Sequence, residues 1–211
     1  MLADSCLPLQ GALLLLRQLS AATPNYTSRI LPPSITKKAL ATFDRDIIRV
    51  LEQRLGRSLQ CESALQKVSL PNRFGGLGLA TAKEHATGAF VAGMAASTAS
   101  VKHAIWDKYG MDTKQVSNTS SQTALRNALL TLRSSGAFAS SKLLGEDHAS
   151  FIKAHTEEPT SSRRLQGKIA NKLADVTWAS LHTCPALRHP TKLARSPSSS
   201  PSLPRGCVCR P

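Results

Sequence analysis

The sequence predicts an all-α protein: an irregular helical bundle of about six or seven helices, followed by a disordered C-terminal tail rich in Pro and Ser. Aromatic residues make up only 4% of the 211 residues, with two Trp, two Tyr and five Phe. A core built mainly from Leu, Ala, Ile and Val suits helix packing better than a β-sandwich. Apolar residues also recur at three- and four-residue spacing along most of the chain, which is the pattern of amphipathic helices.

The first helix is predicted over residues 7–22, where apolar residues cover much of the circumference and four Leu residues run in succession from Leu13. Such a helix requires burial, either in the core of this chain or against a partner. Pro24, with Pro32 and Pro33 further on, predicts a loop between the first and second helices. Proline removes an amide donor and restricts the residue before it, so it disfavours a continuing helix.

Residues 34–55 form the clearest amphipathic pattern, with Ser34 as the predicted N-cap and Gly56 as the predicted stop. A short helix is expected over residues 62–68. The loop that follows, residues 70–79, contains three glycines among apolar residues, which indicates a tight backbone path.

Thr81 and Glu84 form a capping-box pair, which predicts the start of a long Ala-rich helix. This helix is expected to continue to Tyr109 and to stop at Gly110. After a polar linker, helical spacing predicts three more helices, over residues 123–132, 141–155 and 162–181. The chain is thus divided into a helical region over residues 1–110, a second helical region over 111–184 and a disordered basic tail over 185–211.

The chain carries 27 Lys and Arg against 13 Asp and Glu, a formal charge of +14. This excess, spread along the chain, favours a polyanionic partner: nucleic acid first, an anionic membrane surface second. A purely solubilising role for the charge is the alternative. Five cysteines without a dense framework favour a reducing compartment, nucleus or cytoplasm. No stretch reaches the ~20 apolar residues that span a bilayer, and the leading residues lack the basic start of a secretory signal.

Several short stretches occur in a characteristic order. They are Leu15-Leu16-Arg17, Asn25-Tyr26, Arg29, Leu31-Pro32-Pro33, Ala41-Thr42-Phe43-Asp44, Leu70-Pro71 and Gly75 to Leu79, with Ala82, His85, Ala89 and Phe90 on the helix after the loop and Leu165-Gln166 later. Together they resemble the region after the polymerase palm in reverse transcriptases of non-LTR retrotransposons. The resemblance is sharpest over residues 13–96. It implies a fragment of a reverse-transcriptase polyprotein, with thumb-like helices that grip a primer–template duplex and an upstream palm as partner.

The residues that carry polymerase chemistry are missing. No Tyr or Phe, any residue, Asp-Asp motif occurs, so no enzymatic function is expected. Asp44 and Asp46 are the nearest pair of carboxylates, but residues two apart on a helix point about 200° from each other and cannot hold one metal ion. Both are expected on a solvated helix surface. The six histidines follow no recognisable nucleophilic order, and no cofactor or small-molecule substrate is expected.

Two further motifs have a binding interpretation. The Gly75 to Gly78 loop, which precedes a helix N-terminus, could cradle phosphate through backbone amides, but the Gly-Lys-Ser/Thr of a P-loop is absent and a packing role is favoured. The other motif is a set of His and Cys residues near the C-terminus, whose spacing matches no compact zinc finger, so no metal site is expected. The set is His182, Cys184, His189, Cys207 and Cys209.

Basic side chains therefore carry the functional prediction, although an ordinary solvated helix surface is an equal alternative. The candidate nucleic-acid-binding residues are Arg17, Arg29, Lys37, Arg45, Arg49, Arg54 and Arg73 in the thumb-like region, and Arg164, Lys168 and Lys172 as a stripe in the second region. We predict nonspecific binding of RNA or DNA, including an RNA–DNA hybrid, without catalysis. The alternatives are a helical protein-interaction module that binds through the first helix and a retroelement remnant without function.

Overall fold

The computed structural model of the protein describes residues 7–102, 104, 107–110, 120–138, 144–145, 148–157 and 164–183. These residues are all-α, as predicted, and they contain no strand. The helices are α1 (Leu9–Ile30), α2 (Pro33–Leu55), α3 (Glu62–Ser69), a 3₁₀ turn (Asn72–Phe74), α4 (Ala82–Val101), α5 (Asp107–Tyr109), α6 (Ser120–Ser134), α7 (His148–Glu157) and α8 (Leu165–Thr183). The predicted disordered tail, 185–211, lies outside the described residues.

Helix α1 continues through Pro24, so the predicted end of the first helix at residue 22 and the loop after it are wrong. An interior proline removes a backbone hydrogen bond and costs about 3 kcal/mol. Burial offsets this cost, because Pro24 and Ser28 are both buried. The backbone of α1 also approaches α4 so closely that a Cβ on Gly93 would lie 2.3 Å from the Arg29 carbonyl oxygen.

Helix α2 begins at Pro33 rather than after a Ser34 cap. Proline suits the first position of a helix because its φ angle is already helical and its missing amide has no partner there. At the other end, Gly56 adopts a left-handed φ of 64° and ends the helix, as predicted. The short helix α3 is confirmed as well, with Glu62 in its first turn.

The second half of the chain departs from the predicted boundaries. The α-helical part of α4 ends at Val101, the described residues 102 and 104 are π-helical, and α5 (107–109) precedes the left-handed Gly110, where the helix was predicted to stop. Within the predicted 141–155 helix, residue 144 lies in a 3₁₀ turn and Gly145 has a left-handed φ of 64°, and α7 is described from His148. Helix α8 begins at Leu165, after the left-handed Arg164, and the predicted starts at 141 and 162 lie outside the described residues. The predicted N-terminal ends of these helices rest on apolar spacing alone, which locates helix boundaries poorly.

Helix α4 is the central element of the fold. It packs against α1 and α2 on one side and against α6, α7 and α8 on the other. Phe90, Val91 and Ala95 of α4 are buried in the largest core cluster, together with Leu125 and Leu129 of α6 and with side chains of α7 and α8. Because α4 supplies part of that core, the second helical region packs on a helix that belongs to the first.

Candidate nucleic-acid interface

The first turn of α4 is held by a carboxylate from another helix. Asp44 of α2 accepts hydrogen bonds from the backbone amides of Ala82 (2.7 Å) and Lys83 (3.0 Å). An anion at a helix N-terminus satisfies amides that have no partner within the helix and interacts favourably with the helix dipole. The expectation of a solvated surface therefore needs correction for Asp44, whereas Asp46 is exposed and pairs with Arg49 at 3.4 Å.

The capping box predicted from Thr81 and Glu84 is present as a side-chain contact, since the Thr81 hydroxyl donates to Glu84 Oε2 at 2.5 Å. This contact holds the Glu84 carboxylate at the start of α4. Asp44 takes the two amides that would face an incoming anion, so the N-terminus of α4 offers no phosphate site.

The glycine amides of the loop also donate to backbone carbonyls within the loop region. The amides of Gly75 and Gly76 donate to the carbonyls of Asn72 and Pro71, at 2.9 and 3.3 Å, and Gly78 donates to Leu70 at 2.8 Å. Gly76 passes so close to the backbone of Leu70 that a Cβ would lie 2.0 Å from its carbonyl oxygen. The loop therefore has the packing role favoured from the sequence, and it does not present a cradle of amides to phosphate.

A groove runs beside the first half of α4. One cavity of about 590 Å³ lies between the 69–72 segment, α4, α6 and α8. A second cavity of about 330 Å³ lies between the Pro32-Pro33 turn, α4 and α6. Both are lined by Lys83, Thr87 and Thr131, so the two cavities adjoin along α4, and together they are called the groove.

Positive charge predominates along this groove. Arg17 lines the first cavity, Lys37 lines the second, and the exposed Lys83 lies between them. The carboxylate at the groove is that of Glu84, which accepts the Thr81 hydrogen bond. His85 adds no full charge at neutral pH, because burial lowers its pKa more than the nearby Glu84 and Asp44 carboxylates raise it.

Arg17 is oriented by the glycine loop. The Asn72 side chain connects the two when its amide is oriented so that both of its polar atoms have partners: the nitrogen then donates to the Gly76 carbonyl at 3.0 Å and the oxygen accepts from Arg17 Nη1 at 3.3 Å. A Cβ on Gly78 would lie 3.2 Å from Arg17 Nε. The loop thus fixes the guanidinium at the end of the groove, which explains why a tight glycine path lies opposite a basic residue of α1.

The structure places the other predicted basic residues outside the groove. Arg45 and Arg49 are exposed on α2, and Arg29 is exposed in the last turn of α1. The stripe in the second region is exposed as well, but its first member precedes the helix, because α8 begins at Leu165. The stripe consists of Arg164, which has a φ of 65°, and of Lys168 and Lys172 on α8.

Two of the predicted binding residues make intramolecular contacts. Arg54 donates to the Leu7 carbonyl. Arg73 donates to Asn171 Oδ1 at 2.9 Å and to Asp175 Oδ1 at 3.2 Å, and its guanidinium lies 4.7 Å from the centre of the Phe74 ring. A phosphate would have to compete with these partners.

The contacts of Arg73 belong to a column that fastens the 3₁₀ turn to α8. The Phe74 ring stacks on Trp178 with 5.2 Å between centroids, and the His182 ring contacts Trp178 in an edge-on arrangement with 3.8 Å between centroids. Because the column joins residues about a hundred positions apart, it holds the first region of the chain against the last described helix.

Lys83 is the groove residue that sequence reasoning missed. A signal was present, since a lysine in the first turn of a helix is disfavoured by the helix dipole. Its position two residues after the capping threonine therefore pointed to a role beyond helix formation. Asn171 and Thr131, which also line the groove, carried no comparable signal.

Within the described ranges, no three His, Cys, Asp or Glu residues come together in a way that could hold a metal ion. Of the C-terminal His and Cys set, His182 alone belongs to the part of the chain that the structure describes. None of the helices described combines the length and apolar character that a membrane crossing requires. Comparison of the chain with protein-family models, with curated proteins and with solved structures finds no match.

Proposed function

We propose that this protein binds nucleic acid without catalysis, through the groove beside α4. The observation that carries the proposal is the placement of Arg17, Lys83 and Lys37 on the lining of the two adjoining cavities, whose remaining polar lining is mainly hydroxyl and amide groups. Lysine and arginine neutralise backbone phosphates, and hydroxyl and amide groups hydrogen-bond to phosphate and sugar oxygens. The favoured ligand is an RNA–DNA hybrid or another RNA or DNA duplex.

The physical basis is electrostatic and independent of base sequence. Each phosphate that a cation neutralises releases a condensed counterion, so the affinity falls as the salt concentration rises. Dissociation constants of nonspecific complexes are typically about 10⁻⁴ to 10⁻⁶ M at physiological salt. Three groove cations, assisted by the exposed basic residues of α2 and α8, fit an affinity in this range.

The same proposal includes an origin for the chain. The resemblance of residues 13–96 to the region after the palm of non-LTR reverse transcriptases supports a non-catalytic piece of such a polyprotein. In that setting the groove would grip the duplex that a neighbouring palm domain extends. The nucleus or the cytoplasm is the compartment that fits this role.

The test is a titration of the purified protein with a short RNA–DNA hybrid between about 50 and 200 mM salt. The decisive variant combines Lys37→Gln with Lys83→Gln. The matched control combines Lys38→Gln with Lys67→Gln, because both lysines are exposed and neither lines the groove. Both variants lose the same charge.

We expect the groove variant to weaken binding and to reduce the slope of log K against log salt by about 2, at about 1 for each phosphate contact. The control should change the slope by much less. Equal losses in both variants would mean that the chain acts as a simple polycation and would contradict the groove. A third pair, Lys168→Gln with Lys172→Gln, tests in the same way whether the α8 stripe contacts phosphate.

A second candidate function is protein binding through an exposed apolar stripe on α1. The stripe consists of Leu15, Leu19, Tyr26 and Ile30, with exposed fractions of 42%, 43%, 74% and 56%. These positions share one face of the helix. The footprint differs from the one expected from the sequence, because Leu16 is fully buried and Leu13 packs in the core below it.

The partner that the resemblance implies for this stripe is the palm domain of a reverse transcriptase. An apolar interface resists salt, so the complex with such a domain should survive salt concentrations that release nucleic acid. Leu19→Glu should abolish it. The control is Leu130→Glu, at a residue that is 55% exposed on α6 and lies outside the stripe. Equal binding by both variants would exclude the stripe as the contact surface.

A further inference from the structure

The larger cavity of the groove differs in chemistry from the smaller one. Leu70, Leu132 and Leu173 contribute apolar side chains to its lining, and Ala170 and Ala174 leave space between them. Its volume of about 590 Å³ lies within the range of small-ligand pockets, about 300 to 1,000 Å³. A backbone phosphate gains nothing from an apolar wall, so the phosphate contacts of the groove do not account for this cavity.

The polar groups around the cavity are mainly acceptors. The hydroxyl groups of Thr131, Ser135 and Thr177 each donate to a backbone carbonyl in the preceding turn of helix, at 2.9, 2.6 and 3.1 Å. Their protons are thereby committed, and their oxygens can accept hydrogen bonds. Asn171 supplies the complementary group, because its oxygen accepts from Arg73 and its amide nitrogen is a donor.

Charge and acid–base state set the remaining properties of the cavity. Arg17 lies on its lining and carries a fixed positive charge. His85 also lines the cavity, and because burial lowers its pKa, the ring is neutral at pH 7 and offers one donor and one acceptor nitrogen. Lys83 and Glu84 also line the cavity, and the Glu84 carboxylate accepts the Thr81 hydrogen bond. The cavity thus combines an apolar wall, several acceptors, two neutral groups with a donor, and a net positive charge from Arg17 and Lys83 against Glu84.

We infer that this cavity is a subsite for a single unpaired nucleotide of a nucleic-acid strand bound in the groove. A nucleobase has two apolar faces and an edge that carries N–H donors, and the nucleotide carries a phosphate that Arg17 can contact. The inference rests on the proposed function and names its substrate class: a duplex with an overhang, a bulge or a frayed end.

A base inside an intact duplex is excluded from such a subsite unless it is extruded, which costs a few kcal/mol of unstacking and unpairing. An overhanging base is already free of its partner strand. Stacking of a base on an aromatic side chain contributes about 1 to 3 kcal/mol in single-strand binding proteins. The wall of this cavity is aliphatic, so we take the lower end of that range, about 1 kcal/mol or roughly 5-fold in affinity. The same chain should therefore prefer an overhang to a blunt end.

The experiment compares three RNA–DNA hybrids of identical duplex sequence: one blunt, one with a single adenosine overhang and one with an abasic overhang. We expect the adenosine overhang to bind at least about 5-fold more tightly than the blunt hybrid, and the abasic overhang to bind like the blunt one. Equal affinity for all three would overturn the subsite while the groove stands. Absence of binding to the blunt hybrid would instead overturn the proposed function, and the subsite with it.

A cavity-filling variant locates the effect. Ala174→Phe places a ring in the cavity without changing charge and should reduce the ratio of overhang to blunt affinity to about 1. The control is Ala179→Phe, on the exposed surface of the same helix and outside the cavity lining, which should keep the wild-type ratio. A ratio that survives Ala174→Phe would place the unpaired base elsewhere and overturn the assignment.

Circular dichroism reports whether Ala174→Phe keeps its helix content. If it does not, a 2-aminopurine overhang on the unsubstituted protein decides the question. Transfer of this fluorescent base from water onto the apolar wall of the cavity changes its emission, whereas a base left in solvent keeps the emission of the free hybrid. Unchanged emission at saturating protein would overturn the subsite.

Discussion

Replacement of Asp44 tests the account of how α4 is held in place. The Asp44→Ala variant leaves the amides of Ala82 and Lys83 without their carboxylate acceptor. Loss of a helix cap costs about 0.5 to 2 kcal/mol, and this cap makes two hydrogen bonds to a charged, half-buried group, so we expect a loss of about 2 kcal/mol. Because α4 packs against most other helices, the loss should lower the free energy of unfolding of the whole described fold.

The assay is urea unfolding followed by circular dichroism, with the midpoint and the m-value fitted together. In thermal unfolding of the same variant, a loss of this size should lower the midpoint temperature by about 4 to 8 °C for a chain of this length. The Asp44→Asn variant keeps one acceptor oxygen and loses the charge, so its effect should be about half as large. An unchanged m-value would show that stability, and not the extent of unfolding, has changed.

The matched control is Asp46→Ala, which removes the same side chain two residues further along α2. Asp46 pairs with Arg49 at 3.4 Å, and both side chains are more than half exposed. Such pairs contribute about 0 to 1 kcal/mol, so the midpoint should hardly move. Equal losses from Asp44→Ala and Asp46→Ala would refute the capping role and leave α4 dependent on packing alone.

Three further predictions concern packing and titration. Gly93→Ala should destabilise the fold by about 1 to 3 kcal/mol in urea unfolding, because its Cβ would meet the Arg29 carbonyl. Gly167→Ala has open space around it and should stabilise α8 by up to about 1 kcal/mol. The reverse order of stabilities would be inconsistent with the α1–α4 contact. Burial lowers the pKa of His155, so its contribution to stability should be complete above pH 6.5 and should decline as the pH falls below that value. The decline should be shallower in His155→Gln. Parallel curves of urea midpoint against pH for the wild type and this variant would contradict the prediction. Phe74→Leu should cost about 1 kcal/mol through the lost stack on Trp178, and an unchanged urea midpoint would show that the column does not stabilise the fold.

The parts of the fold that could be predicted are those with local signals. Gly56 ends α2 because glycine adopts the left-handed conformation readily, and the pairing of Thr81 with Glu84 marks the start of α4 within four residues. Pro24 shows where local rules fail. Its cost to the helix is local, but the burial that offsets it comes from tertiary packing, and spacing along the chain carries no record of that packing.

The candidate site depends on distant contacts to a greater degree. Arg17 and Lys37 could be selected from the sequence as basic residues, but that they line the same groove follows from the packing of α4 on both halves of the chain. Arg73 was selected by the same reasoning, although its partners Asn171 and Asp175 lie 98 and 102 residues away. Charge identifies candidates, and only the tertiary structure shows which of them already have partners.

The composition of α4 explains why a groove forms beside its first half. From Gly88 to Ala92 every residue is buried, because α4 is enclosed by helices on both sides there and small residues allow their close approach. The first turns are different: Lys83, Glu84 and Thr87 cannot be enclosed without loss of hydration, so the surrounding helices stand apart from them. The change from polar to small apolar residues within one helix therefore produces a closed core at one end and an open cationic groove at the other. Replacing Lys83 or Thr87 by alanine would remove the physical reason for that opening as well as its polar lining.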